Sequence, residues 1–176
     1  INPTAFIQAR MNSSRYPGKS LAPLAGIPVI KRVINRVNKS MSNTDVVVVT
    51  TNNQAEDPLV SYLRSQDEHI FRGHPTNVFK RFRSALEEYP CECFFRICGD
   101  SPFLEPTLFT EAINIFEHND IDIATNALSR DFPAGKTVEL LDTETFQHVT
   151  PEILSNKQQE HVTKYFYDNS ERYNIK

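Results

Sequence analysis

Two short apolar runs in the middle of the chain constrain its fold more than any other feature. Four consecutive valines and a threonine form Val46 to Thr50, and Phe94, Phe95 and Ile97 lie within Cys91 to Cys98. Short runs that are apolar at consecutive positions are typical of strands buried on both faces, as parallel strands between two helical layers are. The sequence therefore predicts an α/β layer fold.

Longer segments with helical periodicity alternate with the short runs, which indicates a β-α-β-α order. Asn77 to Tyr89 has apolar side chains at helical intervals, and Pro106 can begin a helix that continues through Phe116. The last helix is predicted over 157–168, and 121–141 has the pattern of an added strand or hairpin. Ligands of open α/β sheets bind beyond the carboxyl ends of the strands, so we expect a site in the loops after Ala9, Thr51, Phe71 and Cys98.

The length and composition predict one globular domain over residues 1–176. The chain has 176 residues, of which 39% are hydrophobic and 23% charged, and this excludes a disordered chain, a coiled coil and a collagen-like polymer. Its net charge is -3 and it has no basic block, so no nucleic-acid partner is expected. No apolar run approaches the ~18 to 20 residues of a membrane span, so we expect no membrane partner.

The amino terminus and the cysteines favour a cytoplasmic protein. The chain begins at Ile1 without Met and has no signal-peptide pattern, so we expect that a few initiating residues are absent and that nothing directs the chain outward. Cys91, Cys93 and Cys98 are an odd number of thiols, which suits reduced cysteines better than disulfides. Because they lie in a strand-like run without a fourth ligand, we predict buried apolar thiols rather than a metal cluster.

The loop after the first predicted strand has the composition of a phosphate site. Between Gln8 and Ser20 it contains Arg10, Arg15 and Lys19, together with several serines and one glycine. Arginine offers a planar fork of donors and lysine a mobile charge, while hydroxyls and backbone N–H groups can complete a nest around a polyphosphate. A solvated loop is the alternative interpretation.

The tripeptide Gly18-Lys19-Ser20 also has the form of the end of a P-loop. That motif requires a glycine five residues before Gly18, and Ser13 stands there. Pro17 removes a backbone donor that such a loop would need. A P-loop hydrolase is therefore disfavoured.

A second polar feature, Gly99-Asp100, follows the second buried run. A carboxylate at this edge of the sheet can hold Mg²⁺ that bridges to phosphate, or it can cap a turn. A polyphosphate loop at the same edge favours the metal. Arg72, after a short strand, and His161, in the last predicted helix, could each reach a ligand or have a structural role.

Four motifs together resemble the cytidylyltransferases that make CMP-activated acidic sugars, and most closely the spore-coat polysaccharide type. The family pattern Ile-Gln-Ala-Arg-Met-x-Ser-x-Arg-x-Pro-x-Lys is met by Ile7 to Lys19, and this motif is the specific one. Arg-Gly is met by Arg72-Gly73, Arg-x-x-Gly-Asp-x-Pro by Arg96 to Pro102, and Glu-His-Val-Thr by Glu160 to Thr163. The resemblance covers nearly the whole chain.

The resemblance implies a Rossmann-like nucleotidyltransferase fold with a mixed, mostly parallel sheet flanked by helices. It implies a Mg²⁺-dependent enzyme that transfers CMP from CTP to a sugar hydroxyl, releases pyrophosphate and serves surface polysaccharide or glycan synthesis. Arg15, Lys19 and Asp100 would be catalytic, with Asp100 as the Mg²⁺ ligand, and a homodimer is common among relatives. The residues implied to bind the nucleotide are Arg10, Ser13, Ser14, Arg15, Lys19, Arg72 and Arg96.

The chain also departs from the family pattern. Where relatives carry Phe-Pro-Asp-Gly-x-Asp-Val-Glu, Ala134 and Thr137 replace the two aspartates, while Glu139 is retained. Relatives generally continue past the position of Lys176 into a segment with a further acidic residue, so we expect either a truncated carboxyl terminus or the loss of that ligand. These departures favour an alternative function, a nucleotide- or sugar-binding domain without turnover. A sugar-1-phosphate nucleotidyltransferase is disfavoured, because its first loop is usually rich in glycine and this one has only Gly18.

Overall fold

The structure of the chain is a computed structural model that describes residues 1–13, 16–41, 44–128 and 132–176. Its strands are β1 (Thr4–Gln8), β2 (Pro23–Leu24), β3 (Ile27–Pro28), β4 (Val46–Thr51), β5 (His69–Gly73), β6 (Cys93–Cys98), β7 (Ile123–Thr125) and β8 (Glu139–Asp142). Its α-helices are α1 (Val29–Ser40), α2 (Asp57–Ser65), α3 (Val78–Glu88), α4 (Pro106–His118), α5 (Thr143–His148), α6 (Asn156–Glu160) and α7 (Lys164–Asp168).

Six strands form one mixed sheet in the order β5-β4-β1-β6-β8-β7. The strands from β5 to β6 are parallel to one another, whereas β8 is antiparallel to both of its neighbours. The predicted α/β fold with a mostly parallel mixed sheet is therefore confirmed, and so is the expected hairpin-like addition, which is the pair β7 and β8. The separate strands β2 and β3 form a small hairpin before α1.

Both faces of the sheet are covered, which explains the apolar runs. Every residue of β4 is buried. One core packs Ile7, Val48 and Phe95 against α1, α2 and α4. The other packs Phe6 and Phe94 against the helices α3, α5 and α7. Successive side chains of a strand point to opposite faces, so a strand between two helical layers needs apolar residues at every position.

The helices begin and end for local reasons. Asn77 caps α3, because its side chain accepts a hydrogen bond from the backbone N–H of Lys80. Pro106 begins α4 at a position where no backbone donor is needed. Both helices were predicted, and α4 continues two residues beyond Phe116, to His118.

The prediction of one final helix over 157–168 is wrong. The segment forms two short helices, α6 and α7, and His161 between them has an extended backbone with φ -106° and ψ 95°. Val162 and Thr163 are buried at this break, and the hydroxyl of Thr163 donates to the Glu139 carboxylate at 2.8 Å. The helix is interrupted here because the buried Glu139 carboxylate needs donors, and the Thr163 hydroxyl supplies one.

The three cysteines have different environments. Cys93 is buried as predicted, whereas Cys91 and Cys98 are only half-buried, because they lie where the strand meets its flanking loops. Burial, followed by the neighbouring Cys91, raises the pKa of the Cys93 thiol to about 12. In the described ranges no group of three or more His, Cys, Asp and Glu side chains could hold a metal ion. None of the helices described in the structure is both long and apolar enough to cross a bilayer.

The second core predicts how the chain responds to the loss of an aromatic ring. Phe94 is fully buried, and its ring lies 5.2 Å from that of Phe146 and 5.7 Å from that of Phe6. We expect Phe94→Ala to lower the free energy of unfolding by about 3–5 kcal/mol, because it leaves a cavity. Phe103 is 60% exposed, so Phe103→Ala should change it by no more than about 0.5 kcal/mol. Denaturant titration of both variants measures the difference, and equal losses would contradict this packing.

Candidate active site

A polar cavity of about 310 Å³ lies at the carboxyl ends of the neighbouring strands β1 and β6. This is the edge of the sheet at which the sequence predicted a site. The side chains that line it include Gln8, Arg10, Ser13, Lys19, Asp100 and His161.

Lys19 and Asp100 form an ion pair in this cavity. The Lys19 Nζ atom lies 2.9 Å from Asp100 Oδ2, although the two residues come from different loops. Their side chains are 38% and 50% exposed, and an ion pair so accessible to water contributes only about 0–1 kcal/mol. An anion that attracts Lys19, or a cation that attracts Asp100, can therefore replace the pair at little cost.

The loop after β1 is closed by a buried carboxylate. Glu56 is 1% exposed, and its Oε2 atom accepts from the backbone N–H of Met11 at 2.7 Å and from the Thr50 hydroxyl at 3.3 Å. Further along, the backbone N–H of Gly18 donates to the Met11 carbonyl at 2.8 Å. Gly18 has φ +74°, in the left-handed region that glycine adopts without strain. These bonds bring the start and the end of the loop together, so that Arg10 and Lys19 share one cavity.

Gly99 lets the two strand ends approach closely. Its N–H donates to the Gln8 carbonyl at 2.8 Å, across the gap between the ends of β1 and β6. A β-carbon at position 99 would lie 2.8 Å from that carbonyl oxygen and 2.9 Å from the Ala9 β-carbon. Glycine therefore determines where Asp100 emerges from β6.

A buried ion pair lies behind the cavity. Arg96 Nη1 donates to Glu139 Oε2 at 3.1 Å, and Glu139 is 2% exposed. The other oxygen of Glu139 accepts from the hydroxyls of Thr163 and Tyr167. Burial acts to lower the pKa of Arg96, but the Glu139 carboxylate more than offsets it and the pKa is raised. Burial and then Glu139 also raise the pKa of Tyr167, so the phenol stays protonated and remains a donor.

A second polar cleft adjoins the cavity. It has a volume of about 370 Å³, and Arg10 lines both spaces. Thr76, Asn156 and Gln159 supply hydroxyl and amide groups to it, and Glu160 a carboxylate. These groups suit a ligand with several hydroxyls.

A model of the cytidylyltransferase family matches residues 4–175. The chain belongs to the cytidylyltransferase family. Among curated relatives, the spore coat polysaccharide biosynthesis protein SpsF of Bacillus subtilis is 28% identical over 177 residues, which cover 97% of this chain and 72% of that protein. The 3-deoxy-manno-octulosonate cytidylyltransferase of Geobacter sulfurreducens is 32% identical over 113 residues, which cover 64% of this chain and 44% of that protein.

Solved structures show the same fold. A cytidylyltransferase from Leptospira borgpetersenii superposes with a TM-score of 0.92 at 24% identity, and the match covers 99% of this chain and 74% of that one. A CMP:2-keto-3-deoxy-manno-octonic acid synthetase complexed with CTP superposes with a TM-score of 0.76 at 17% identity, covering 100% of this chain and 88% of that one. The nucleotidyltransferase fold and the family resemblance are thus confirmed.

This cytidylyltransferase family member brings together some of its predicted site residues and separates others. Arg10, Ser13, Lys19 and Asp100 line one cavity. Ser14 and Arg15 lie outside the described residues, so their predicted roles stay predictions. Arg96 lies behind the cavity, in the pair with Glu139.

Arg72 lies on another part of the sheet edge. Its guanidinium pairs with Asp57 at 2.8 Å and donates to the carbonyls of Thr51 and Asn53 at 3.2 and 2.8 Å. These contacts stabilise the loop after β4, and Arg72 is not among the residues that line the cavity of β1 and β6. Its predicted contact with the nucleotide stays a prediction.

Sequence reasoning missed, or left open, the roles of three residues of the site. Helical periodicity placed His161 inside a helix, whereas the break there puts it in the cavity wall. Gln8 belongs to the motif from Ile7 to Lys19 but was given no role, and Glu56 is in no motif. The contacts of Glu56 and Gln8 join residues 45 and 88 positions apart in the chain, which the sequence alone does not bring together.

The close approach at Gly99 leads to a prediction about stability. We expect Gly99→Ala to lower the free energy of unfolding by about 1–3 kcal/mol, because its β-carbon would overlap backbone that cannot move away easily. Denaturant titration tests this. A variant as stable as the wild type would show that the ends of β1 and β6 are not packed as described.

Proposed function

We propose that this chain transfers CMP from CTP to a hydroxyl of an acidic sugar and releases pyrophosphate, in the synthesis of surface polysaccharide or glycan. The observation that supports the proposal most strongly is the meeting of Lys19 and Asp100 at 2.9 Å in a cavity of a chain that belongs to the cytidylyltransferase family. A mobile cation and a carboxylate at one sheet edge are the groups that a triphosphate and its counter-ion need.

The reaction needs alignment and neutralisation of charge more than it needs a covalent intermediate. The oxygen of the sugar hydroxyl attacks the α-phosphorus of CTP and its proton passes to solvent, the bond from that phosphorus to the bridging oxygen breaks, and pyrophosphate leaves. Lys19 and Arg10 would hold phosphate oxygens, and Ser13 would donate to them. Fixing both reactants in the two adjoining spaces supplies proximity, and the cations offset the charge that develops on the leaving pyrophosphate.

The donor set at Asp100 fits Mg²⁺. Asp100 offers one half-exposed carboxylate at the cavity, and Mg²⁺ is usually held by one or two carboxylates with water and substrate phosphates completing its shell. Asp100 would therefore hold the ion when nucleotide is present. Bound there, Mg²⁺ would neutralise phosphate charge and favour the departure of pyrophosphate.

The names of relatives and the second cleft support an acidic sugar. The Geobacter sulfurreducens relative is named for 3-deoxy-manno-octulosonate, and a relative from Shewanella piezotolerans, 27% identical, for its 8-amino-3,8-dideoxy form. Both names denote sugar acids. In this chain Arg10 lies between the two spaces and could pair with a carboxylate. The link to surface polysaccharide rests on the name of the Bacillus subtilis relative.

Pyrophosphate release tests the proposal. The wild-type chain should release pyrophosphate only with Mg²⁺ and a sugar, and faster with CTP than with ATP, GTP or UTP, across a panel of acidic and neutral sugars. Ala134 and Thr137 favour a binding domain without turnover, because two family carboxylates are missing there. CTP binding in calorimetry without release under any condition would establish that alternative and contradict the proposed enzyme.

Substitutions at Asp100 and Lys19 should change activity and binding without changing the stability of the fold. We expect Asp100→Asn to reduce Mg²⁺-dependent release at least about 100-fold, since a ligand to the metal is lost, with little change in the melting temperature. Lys19→Ala should weaken CTP binding about tenfold, since one charge-assisted contact to phosphate is lost. Asp45→Asn and Lys80→Ala, on exposed sites elsewhere, serve as matched controls. A loss of stability that accounts for the loss of activity in Asp100→Asn would indicate a turn cap instead.

A further inference from the structure

We propose that Gln8 binds the ligand in the cavity through its side-chain N–H groups, and that the buried pair Arg96–Glu139 holds the Gln8 amide in the orientation this requires. The inference rests on the proposed function for the identity of the ligand. It assigns Arg96 a positioning role rather than direct contact with nucleotide.

Gln8 of β1, Arg96 of β6 and Glu139 of β8 lie on the same face of the sheet. Each stands two positions along its own strand from a residue of the aromatic core, which is Phe6, Phe94 or Leu141, and residues two apart on a strand share a face. Arg96 is opposite Phe6 on one side and Glu139 on the other, whereas Gln8 is opposite Cys98. Gln8 therefore lies diagonally to Arg96, two residues nearer the carboxyl ends of β1 and β6, where the cavity is.

Arg96 bridges the other two residues. Its Nη1 atom donates to Glu139, and its Nη2 atom donates to Gln8 Oε1 at 3.2 Å. Arginine has donors and no acceptor, so the Gln8 carbonyl oxygen must face it. The Gln8 NH₂ group then faces the other way, towards the cavity that Gln8 lines.

Glu139 keeps the guanidinium group of Arg96 from rotating. Its carboxylate is held by Arg96 on one side and by Thr163 and Tyr167 on the other. Removing any one partner from a buried carboxylate is costly, so Glu139 keeps its position and fixes the guanidinium plane. The same carboxylate anchors the segment next to His161, on the cavity wall.

Among the described residues, the hydrogen bond of the Gln8 side chain is the one that its Oε1 atom accepts from Arg96, which leaves the NH₂ group without a protein acceptor there. It shares the cavity with Lys19, Ser13 and Asp100. Two N–H donors beside a cationic site suit an oxygen acceptor, either a phosphate oxygen of CTP or a hydroxyl oxygen of the sugar. Two substitutions distinguish these sources.

Gln8→Met keeps the length of the side chain and removes both donors. It should raise either the dissociation constant of Mg²⁺–CTP, measured by calorimetry, or the KM of the sugar at saturating CTP, by about tenfold. Gln8→Glu keeps an oxygen for Arg96 but presents a second one to the cavity. It should be more damaging than Gln8→Met if the ligand oxygen is a phosphate, and less damaging if it is a hydroxyl that can donate.

The exposed residue Gln66, which lies after α2 and away from the cavity, provides the control variant Gln66→Met. If both Gln8 variants change the dissociation constant and the KM by less than twofold, as the control should, Gln8 does not bind the ligand and the proposal is overturned.

A double-mutant cycle tests the positioning role of Arg96. Arg96→Lys keeps a positive charge beside Glu139 but loses the planar fork that reaches Gln8 as well. If Arg96 acts through Gln8, the double variant with Gln8→Met should bind no more weakly than Gln8→Met alone. Additive losses would show that Arg96 acts independently, which overturns the positioning role.

The Gln8 variants remain informative if Arg96→Lys fails to fold in a thermal melt. Failure of the proposed function looks different from failure of this inference. A wild-type chain that binds no CTP contradicts the proposed function, whereas a Gln8→Met variant with both an unchanged dissociation constant for CTP and an unchanged KM for the sugar contradicts only the role of Gln8.

Discussion

The buried pair of Arg96 and Glu139 is the interaction on which the rest of the site depends. A charge removed from water is stable in a protein only when it is paired and hydrogen-bonded, and this pair meets that requirement with groups from β1, β6, β8 and the segment of α7. It joins the parallel part of the sheet to the antiparallel strand β8 and draws the chain between α6 and α7 onto the sheet. Through Thr163 it also anchors the segment that carries His161 in the cavity wall.

Two ion pairs in the same region have opposite properties, and function follows from the contrast. In Arg96–Glu139 the carboxylate is 3% exposed and accepts from Arg96, Thr163 and Tyr167, while only the Arg96 Nε atom lacks a partner among the described residues, so the pair acts as a fixed scaffold. Lys19–Asp100 is half exposed and contributes little to stability, so each of the two residues can replace its contact with the other by a contact with a ligand. The hydrogen bond from Met11 to Glu56 and the close approach of β1 and β6 at Gly99 position Lys19 and Asp100. Neither residue of this pair is part of the core.

The sequence predicted those features that depend on neighbouring residues. The runs at β4 and β6 require two covered faces, and the cap at Asn77 and the proline at 106 mark helix starts, so the layers and the edge of the site followed from them. The break at His161 did not, because a buried carboxylate 22 residues away in the chain competes with helix formation there. The partners of Arg72 and Arg96, which are Asp57 and Glu139, are likewise recognised only in three dimensions.

A crystal structure of the chain with CTP and Mg²⁺ would show directly whether the cavity at the ends of β1 and β6 is the nucleotide site. The triphosphate should lie in that cavity, with Lys19 moved from Asp100 to a phosphate oxygen and the metal at Asp100. A larger groove of about 580 Å³, whose lining includes Arg32, Arg36 and Lys39, is the competing site, because its cations could also bind a triphosphate. CTP bound in that groove, with the Lys19–Asp100 pair intact, would contradict the proposed site.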